Sequence, residues 1–112
     1  MLELGTKDFK IQLDEAKAVM SGVLRLPSPR SYDEYFQPIE ENIAKADAFT
    51  IDLTEVTFLN SSGITAVSKL IFLAKKHDKA ITFHLNPTIP WQPKTFASVA
   101  KLWEKMTLKY IE

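Results

Sequence analysis

Apolar and polar residues alternate along the first part of the chain, which is the pattern of a half-buried β-strand. Residues 7–13 carry apolar side chains at every second position, namely Phe9, Ile11 and Leu13. A similar alternation predicts a second strand over 18–26. Because a turn at 14–17 is the whole connection between them, we expect these two strands to form an antiparallel pair.

The spacing of apolar residues becomes helical after this pair. Recurrence at every third or fourth position predicts a first helix over 32–46, with Ser31 as its N-cap and Glu34 as the capping-box partner. Pro38 interrupts that pattern, since proline disfavours a helix interior. A second helix is predicted over 62–77. Its apolar residues cover most of its circumference and predict deep burial: Ile64, Val67, Leu70, Ile71, Phe72, Leu73 and Ala74.

Short apolar runs complete the pattern. Strands are predicted over 49–53, 80–85 and 108–111, and a proline-rich loop over 86–93. A third helix is marked by Phe96, Val99, Ala100, Trp103 and Met106. The order is therefore β-β-α-β-α-β-α-β within a single domain, 1–112. Strands joined through helices are parallel, so we predict an α/β fold with a mixed sheet packed by three helices.

Composition narrows the range of functions. The chain has 112 residues, equal numbers of acidic and basic side chains and no cysteine. The balanced charge argues against nucleic acid as a partner and against an electrostatic membrane anchor. The absence of cysteine excludes disulfides and thiol chemistry. We find neither a signal-peptide pattern nor an apolar run of about 20 residues, so the expected location is the cytoplasm.

The junction 58–63, Phe-Leu-Asn-Ser-Ser-Gly, is the stretch that carries candidate chemistry. An extended run ends there and a helix begins, so free backbone N–H groups and the positive end of the helix dipole face outward. A phosphate at this place would be stabilised. The bland alternative is that Asn60, Ser61 and Ser62 only cap the helix. Gly63 has two possible explanations, which are close approach of a partner's backbone and tight packing of the helix on the sheet.

Residues 52–64, DLTEVTFLNSSGI, resemble the signature of the STAS domain, which is known from bacterial anti-sigma-factor antagonists. In that family an Asp-Leu pair, a short spacer and apolar residues precede Asp-Ser-Ser/Thr-Gly-Leu at a helix start. The element order over 7–111 is also similar. The resemblance implies a STAS-like fold and a signalling switch that is not an enzyme and has no cofactor. Carried over to this chain, the phosphorylated residue is Ser61.

The same resemblance implies particular partners. A serine kinase with a histidine-kinase-like ATPase domain would phosphorylate Ser61, a PPM-type phosphatase would remove the phosphate, and one of the two forms would bind a downstream protein. Asn60 stands where the family usually has aspartate. A related group of stand-alone STAS-like phosphoproteins has Leu-Asn-Thr-Ser here and acts on a diguanylate cyclase, and residues 89–94 resemble a cyanobacterial-type subgroup. The expected target is therefore an anti-sigma factor or a diguanylate cyclase.

Other residues support or compete with this interpretation. Ser62 is expected to bond locally to the backbone or to help position the loop, and Asp52 to orient the switch loop, contact the kinase or simply cap a turn. Trp91 is either an exposed partner contact or a lid on the core. A triad of Ser61, His84 and Asp52 lacks the G-x-S-x-G context, and the two histidines have no metal-ligand spacing. The alternative function is a STAS domain that binds a nucleotide or another small anion at the helix N-terminus.

Overall fold

The computed structural model describes residues 2–111, and its strands form a single six-stranded sheet. The strands, in chain order, are β1 (Leu2–Gly5), β2 (Phe9–Leu13), β3 (Lys17–Leu24), β4 (Ala48–Leu59), β5 (Ala80–Leu85) and β6 (Met106–Tyr110). The helices are α1 (Asp33–Lys45), α2 (Ser61–Lys76) and α3 (Trp91–Val99), with 3₁₀ helices at Pro29–Tyr32 and Ala100–Leu102.

Strands that follow one another in the chain are also neighbours in the sheet. The pairs β1–β2 and β2–β3 are antiparallel, and β3–β4, β4–β5 and β5–β6 are parallel. This arrangement confirms the predicted α/β class, with its antiparallel start and its parallel strands joined through helices. The prediction lacked β1, so the observed order is β-β-β-α-β-α-β-α-β. β1 has four residues, of which one is half-buried, which is too short a pattern to recognise.

One face of the sheet carries the core. Buried side chains alternate with exposed or half-buried ones along β2 and β5, and the buried set packs against the helices. The helix residues of this core include Phe36, Ile39, Ile43, Val67, Leu70, Ile71 and Phe96. The opposite face of the sheet carries mainly polar or small side chains, such as those of Lys10, Thr50 and Thr82. A two-layer architecture follows, with α1, α2 and α3 covering a single face.

The start of α1 differs from the prediction. Ser31 is not its N-cap, because the chain already turns into the 3₁₀ helix, for which Ser28 is the N-cap. Proline at the first helical position favours this earlier start, and Pro29 directly follows Ser28. The hydroxyl groups of Ser28 and Ser31 lie 2.9 Å apart. α1 then continues through Pro38.

α2 is less deeply buried than its composition predicts. Its buried residues lie along one side: Gly63, Ala66, Val67, Leu70, Ile71 and Ala74. Phe72 is 49% exposed, and Ile64 and Leu73 are half-buried. The prediction of deep burial was therefore wrong, because a helix that packs on one face of a sheet hides only the side toward the sheet.

β4 is much longer than the predicted strand over 49–53, because extended structure continues from Leu53 to Leu59. Two register shifts against β3 accompany this continuation, one opposite Val19–Ser21 and one opposite Gly22–Val23. Such β-bulges break the period of two on which strand recognition depends. Pairing with β5 ends at Asp52 and His84, so the second half of β4 has a strand neighbour on the β3 side only.

The segment after β5 also differs from its prediction. The proline-rich loop was predicted to extend to residue 93, whereas α3 already begins at Trp91. Pro90 is the N-cap and Pro93 lies in the first turn, where the missing N–H costs little. Trp103 was predicted to belong to the third helix but lies beyond the end of the helical segment. It is buried, and its indole N–H donates to the backbone carbonyl of Lys79 at 2.8 Å.

Candidate functional site

Asn60 connects β4 to α2 and holds the candidate site in place. Its Oδ1 accepts hydrogen bonds from the backbone N–H of Gly63 at 2.8 Å and from the hydroxyl of Tyr32 at 3.0 Å. Its Nδ2 donates to the carbonyl of Leu26 at 2.8 Å, and its backbone N–H to the carbonyl of Leu24 at 3.0 Å. An aspartate would have no N–H with which to reach Leu26. The asparagine therefore matches its surroundings as both an acceptor and a donor.

Ser61 is the first residue of α2, and its side chain is exposed. Its hydroxyl makes no hydrogen bond within residues 2–111, and its carbonyl accepts one from the hydroxyl of Thr65 at 3.1 Å. The backbone N–H groups of Ser61 and Ser62 also have no partner in that part of the chain. Free amide donors at a helix start stabilise an anion. Ser61 thus combines an accessible hydroxyl with donors that suit a phosphate.

Ser62 and Gly63 have different surroundings from Ser61. Ser62 is half-buried, and its hydroxyl lacks the predicted local bond in the described part of the chain. Gly63 is buried, and a Cβ there would collide with the side chain of Leu59 and come within 3.0 Å of the hydroxyl oxygen of Tyr32. Of the two interpretations of this glycine, tight packing of α2 on the sheet is the one that the contacts support.

Tyr32 helps to fix the side chain of Asn60 through a hydrogen bond. It is fully buried, and its hydroxyl donates to Asn60 while accepting the backbone N–H of Leu26 at 3.1 Å. Burial raises the pKa of the Tyr32 hydroxyl above its ordinary value of 10.0, and the bond from Leu26 offsets part of this increase. The phenol therefore stays protonated, as donation to Asn60 requires.

This raised pKa predicts a loss of stability in alkali. Well below pH 10.0, Tyr32 is protonated in both the folded and the unfolded chain, so it adds no pH dependence there. Above that value the unfolded chain ionises first, and the free energy of unfolding falls until the folded-state pKa is passed. Urea denaturation from about pH 8 to about pH 11 should show this fall in the wild type and a weaker one in Tyr32→Phe. Tyr110→Phe, at an exposed position, should keep the wild-type slope; equal slopes in all three proteins would contradict the prediction.

Asp52 does not end a strand beside the switch, because β4 continues past it. Its Oδ1 accepts the backbone N–H of Thr54 at 2.9 Å and the Thr54 hydroxyl at 2.7 Å, next to the first bulge. Its Oδ2 lies 3.7 Å from Nδ1 of His84 on β5. Asp52 therefore organises the middle of β4. Ser61 makes no hydrogen bond to Asp52 or His84, so the described residues do not form the triad considered from the sequence.

Gln92 is a residue that sequence reasoning missed. It is a fully buried polar side chain, and it bonds to the backbone of β4 beyond the point where the pairing with β5 ends. Its Nε2 donates to the carbonyls of Leu53 at 2.6 Å and Val56 at 3.0 Å, and its Oε1 accepts the N–H of Asn86 at 2.8 Å. A lone glutamine in a proline-rich segment carries no sequence signal for this role.

Trp91 shares the role of Gln92. Its indole N–H donates to the carbonyl of Val56 at 3.1 Å, its ring lies 6.3 Å from that of Phe96, and the residue is half-buried. These contacts favour the lid over a free partner contact. Asn86 adds a bond from its Nδ2 to the carbonyl of Thr54 at 3.4 Å. The three side chains together support the strand that leads to Asn60.

Two open pockets, of about 720 and 570 Å³, lie away from the candidate site. Both are lined by Glu15, Ala16 and Asn42, near the N-terminal end of β4. Residues 60–63 follow the opposite end of that strand. Among residues 2–111 there is no cluster of potential metal ligands, and no helix there has the length and apolar character needed to cross a bilayer. Small-ligand binding at the start of α2 stays a prediction.

Comparison with known proteins adds no family assignment. No protein-family model matches this sequence, and no curated protein matches it.

Proposed function

We propose that this protein is a non-enzymatic STAS-like signalling switch that is reversibly phosphorylated on Ser61 in the cytoplasm. A serine kinase with a histidine-kinase-like ATPase domain adds the phosphate, and a PPM-type phosphatase removes it. The phosphorylation state then decides binding to a downstream anti-sigma factor or diguanylate cyclase. The observation that carries the proposal is the hydroxyl of Ser61 at the start of α2, directly after the fixed Asn60: it is exposed and has no hydrogen bond within residues 2–111.

The physical basis of the switch is the charge that a phosphate adds. Phosphoserine carries about −1.5 to −2 charges at pH 7. Two features stabilise that charge within the chain: the dipole of α2, and the N–H groups of Ser61 and Ser62, which have no partner in the described part of the chain. A partner that docks on a neutral hydroxyl must instead desolvate a dianion. A loss of about 3 kcal/mol in binding free energy weakens a complex more than a hundredfold, which is enough for a switch.

Phe58 supports a docking role for the same junction. It lies three residues before Ser61 near the end of β4, and it is 48% exposed. Exposed aromatic side chains are frequent anchors of protein interfaces. Phe58 is therefore close in sequence to the Ser61 hydroxyl, whose charge changes on phosphorylation, and a partner could contact both.

The direct test is phosphate transfer. Incubation with ATP and the cognate kinase should add one phosphate per chain, located on Ser61 by peptide mass spectrometry. Ser61→Ala should abolish the transfer. Ser62→Ala and Ser98→Ala should accept phosphate like the wild type, since Ser62 is the neighbouring hydroxyl and Ser98 is an exposed serine on α3.

The contrary outcome is equally clear. If transfer persists in Ser61→Ala and disappears in Ser62→Ala, the phosphate acceptor is Ser62 and the proposal is wrong about Ser61. Thermal-shift measurements with nucleotides test the alternative function, which is binding of a nucleotide or another small anion at the start of α2. A ligand that binds the folded chain raises its melting temperature.

A further inference from the structure

The exposed side of α2 carries a short stripe of residues that neither the core nor the proposed phosphorylation uses. Lys69, Phe72 and Lys76 are all exposed, and spacings of three and four residues place them on the same side of the helix. Phe72 is 49% exposed, more than any other large apolar side chain among residues 2–111. We call these three residues the α2 stripe.

The charge around the α2 stripe is uncompensated. α2 contains Lys69, Lys75 and Lys76 and no acidic residue. The next acidic side chain in the chain, Asp78, pairs with Lys105 at 2.7 Å and does not neutralise them. The three lysines have no ion pair within residues 2–111. A locally positive helix surface therefore exists in a chain whose net charge is zero.

The fold by itself explains only part of this surface. Lysines in the last turn of a helix complement its dipole, which accounts for Lys75 and Lys76. Lys69 lies in the middle of α2, outside the range of that effect. Phe72 does not belong to the core cluster, and half of its surface faces solvent. An aromatic side chain between two lysines has instead the composition of an interface, where aromatic anchors are enriched and complementary charges select the partner.

We propose that the α2 stripe is a docking surface for an acidic segment of a partner protein. Phe72 would insert between apolar side chains of that segment, while Lys69 and Lys76 pair with its carboxylates. Protein is favoured over nucleic acid because three lysines in a chain of zero net charge fall short of the basic excess that phosphate backbones require. The occupant is thus a partner segment rich in Asp and Glu that presents an apolar contact.

The stripe is separate from the acceptor hydroxyl but lies on the same side of α2. Ser61 and Thr65 continue the line of exposed residues toward the helix N-terminus. Eleven residues of α-helix put Ser61 about 16 Å from Phe72. The proposal of a docking surface does not require that Ser61 is phosphorylated. Where the proposed function holds, phosphate on Ser61 would also repel the acidic partner, and this one consequence depends on the proposed function.

Site-specific photocrosslinking tests the surface in the full chain. A benzophenone amino acid is placed at position 72 and, as a matched control, at position 110, where Tyr110 on β6 is 45% exposed. After irradiation of cells that produce the protein naturally, position 72 should give a discrete protein adduct that position 110 does not give. Mass spectrometry should place the crosslink in a segment with an excess of Asp and Glu. A synthetic peptide of that segment then serves as the binding probe.

The peptide distinguishes a docking surface from chance contact. Lys69→Glu and Phe72→Ser should each weaken its binding about tenfold, whereas Lys101→Glu, a charge reversal at an exposed lysine outside α2, should change it less than twofold. Unchanged circular dichroism would show that the variants fold. Absence of an adduct at position 72, a basic segment, a nucleic acid or a second copy of this chain in the adduct, or equal binding by Lys69→Glu would overturn the proposal. Ser61→Asp tests the connection with phosphorylation separately: equal binding would remove that connection alone.

Discussion

Replacement of Gln92 by methionine should lower the free energy of unfolding by about 2–4 kcal/mol. Methionine keeps the length and much of the volume of glutamine but can neither donate to the carbonyls of Leu53 and Val56 nor accept the N–H of Asn86. Because Gln92 is fully buried, water does not replace the lost bonds without a change in the packing. Urea denaturation followed by the fluorescence of the two tryptophans measures the change.

Gln12→Met is the matched control for this experiment. Gln12 lies on β2 with its side chain exposed, so the same chemical change should alter stability by less than about 0.5 kcal/mol. The effect at Gln92 should also be local. Hydrogen exchange should become faster at the end of β4, near Asn60, than along β2. Equal stability losses at both glutamines would show that Gln92 does not support the unpaired edge of β4.

Replacement of Asn60 by alanine should have a comparable effect, about 2–4 kcal/mol. The variant loses the cap on the N–H of Gly63, and it leaves the buried hydroxyl of Tyr32 without its acceptor and the carbonyl of Leu26 without the side-chain donor. The first turn of α2 should fray, and that turn carries Ser61. Chemical denaturation gives the stability, and hydrogen exchange at residues 63–65 reports the fraying.

Two comparisons isolate the role of Asn60. Ser62→Ala changes a side chain in the same turn whose hydroxyl makes no hydrogen bond in the described part of the chain, so it should cost less than about 0.5 kcal/mol. A double-mutant cycle of Asn60→Ala with Tyr32→Phe should show a coupling of about 1 kcal/mol, since the two side chains share a hydrogen bond. Stability of Asn60→Ala equal to that of Ser62→Ala would refute the network.

Both predictions concern the support of Ser61 rather than Ser61 itself. Gln92 supports β4 before the junction, and Asn60 fixes the junction to Leu26 and Tyr32. Loss of either support should broaden the positions that the Ser61 hydroxyl samples. Under the proposed function, phosphate transfer to Ser61 would then be slower in both variants than in their matched controls.

The elements with regular periods were predictable from the sequence. β2 and β5 alternate strictly, and the start of α2 follows from the asparagine, the hydroxyls and the glycine at the junction. Irregular elements were not predictable in the same way. The bulges of β4 concealed a strand of twelve residues, and the prolines around Trp91 concealed the first turn of α3. In each case the pattern of residues along the sequence was interrupted, although the backbone hydrogen bonds of the strand or helix continued.

The candidate site divides in the same manner. The exposure of Ser61 could be expected from its place at a helix start, and the structure agrees. The contacts of Asn60 could not, because Leu26 and Tyr32 lie far from it in sequence. The packing role of Gly63 and the support from Gln92 also depend on partners that are distant in the chain.

By itself, therefore, the amino-acid sequence determined the α/β class, the antiparallel start of the sheet, its parallel strands and the position of Ser61 at the N-terminus of a helix. These properties follow from local spacing, which each segment carries with it. Only the tertiary structure decided which side of α2 is left in solvent, what fills the edge of β4 and what holds Asn60. Those outcomes depend on which buried polar groups find partners across the fold, and residues near in space but remote in sequence supply them.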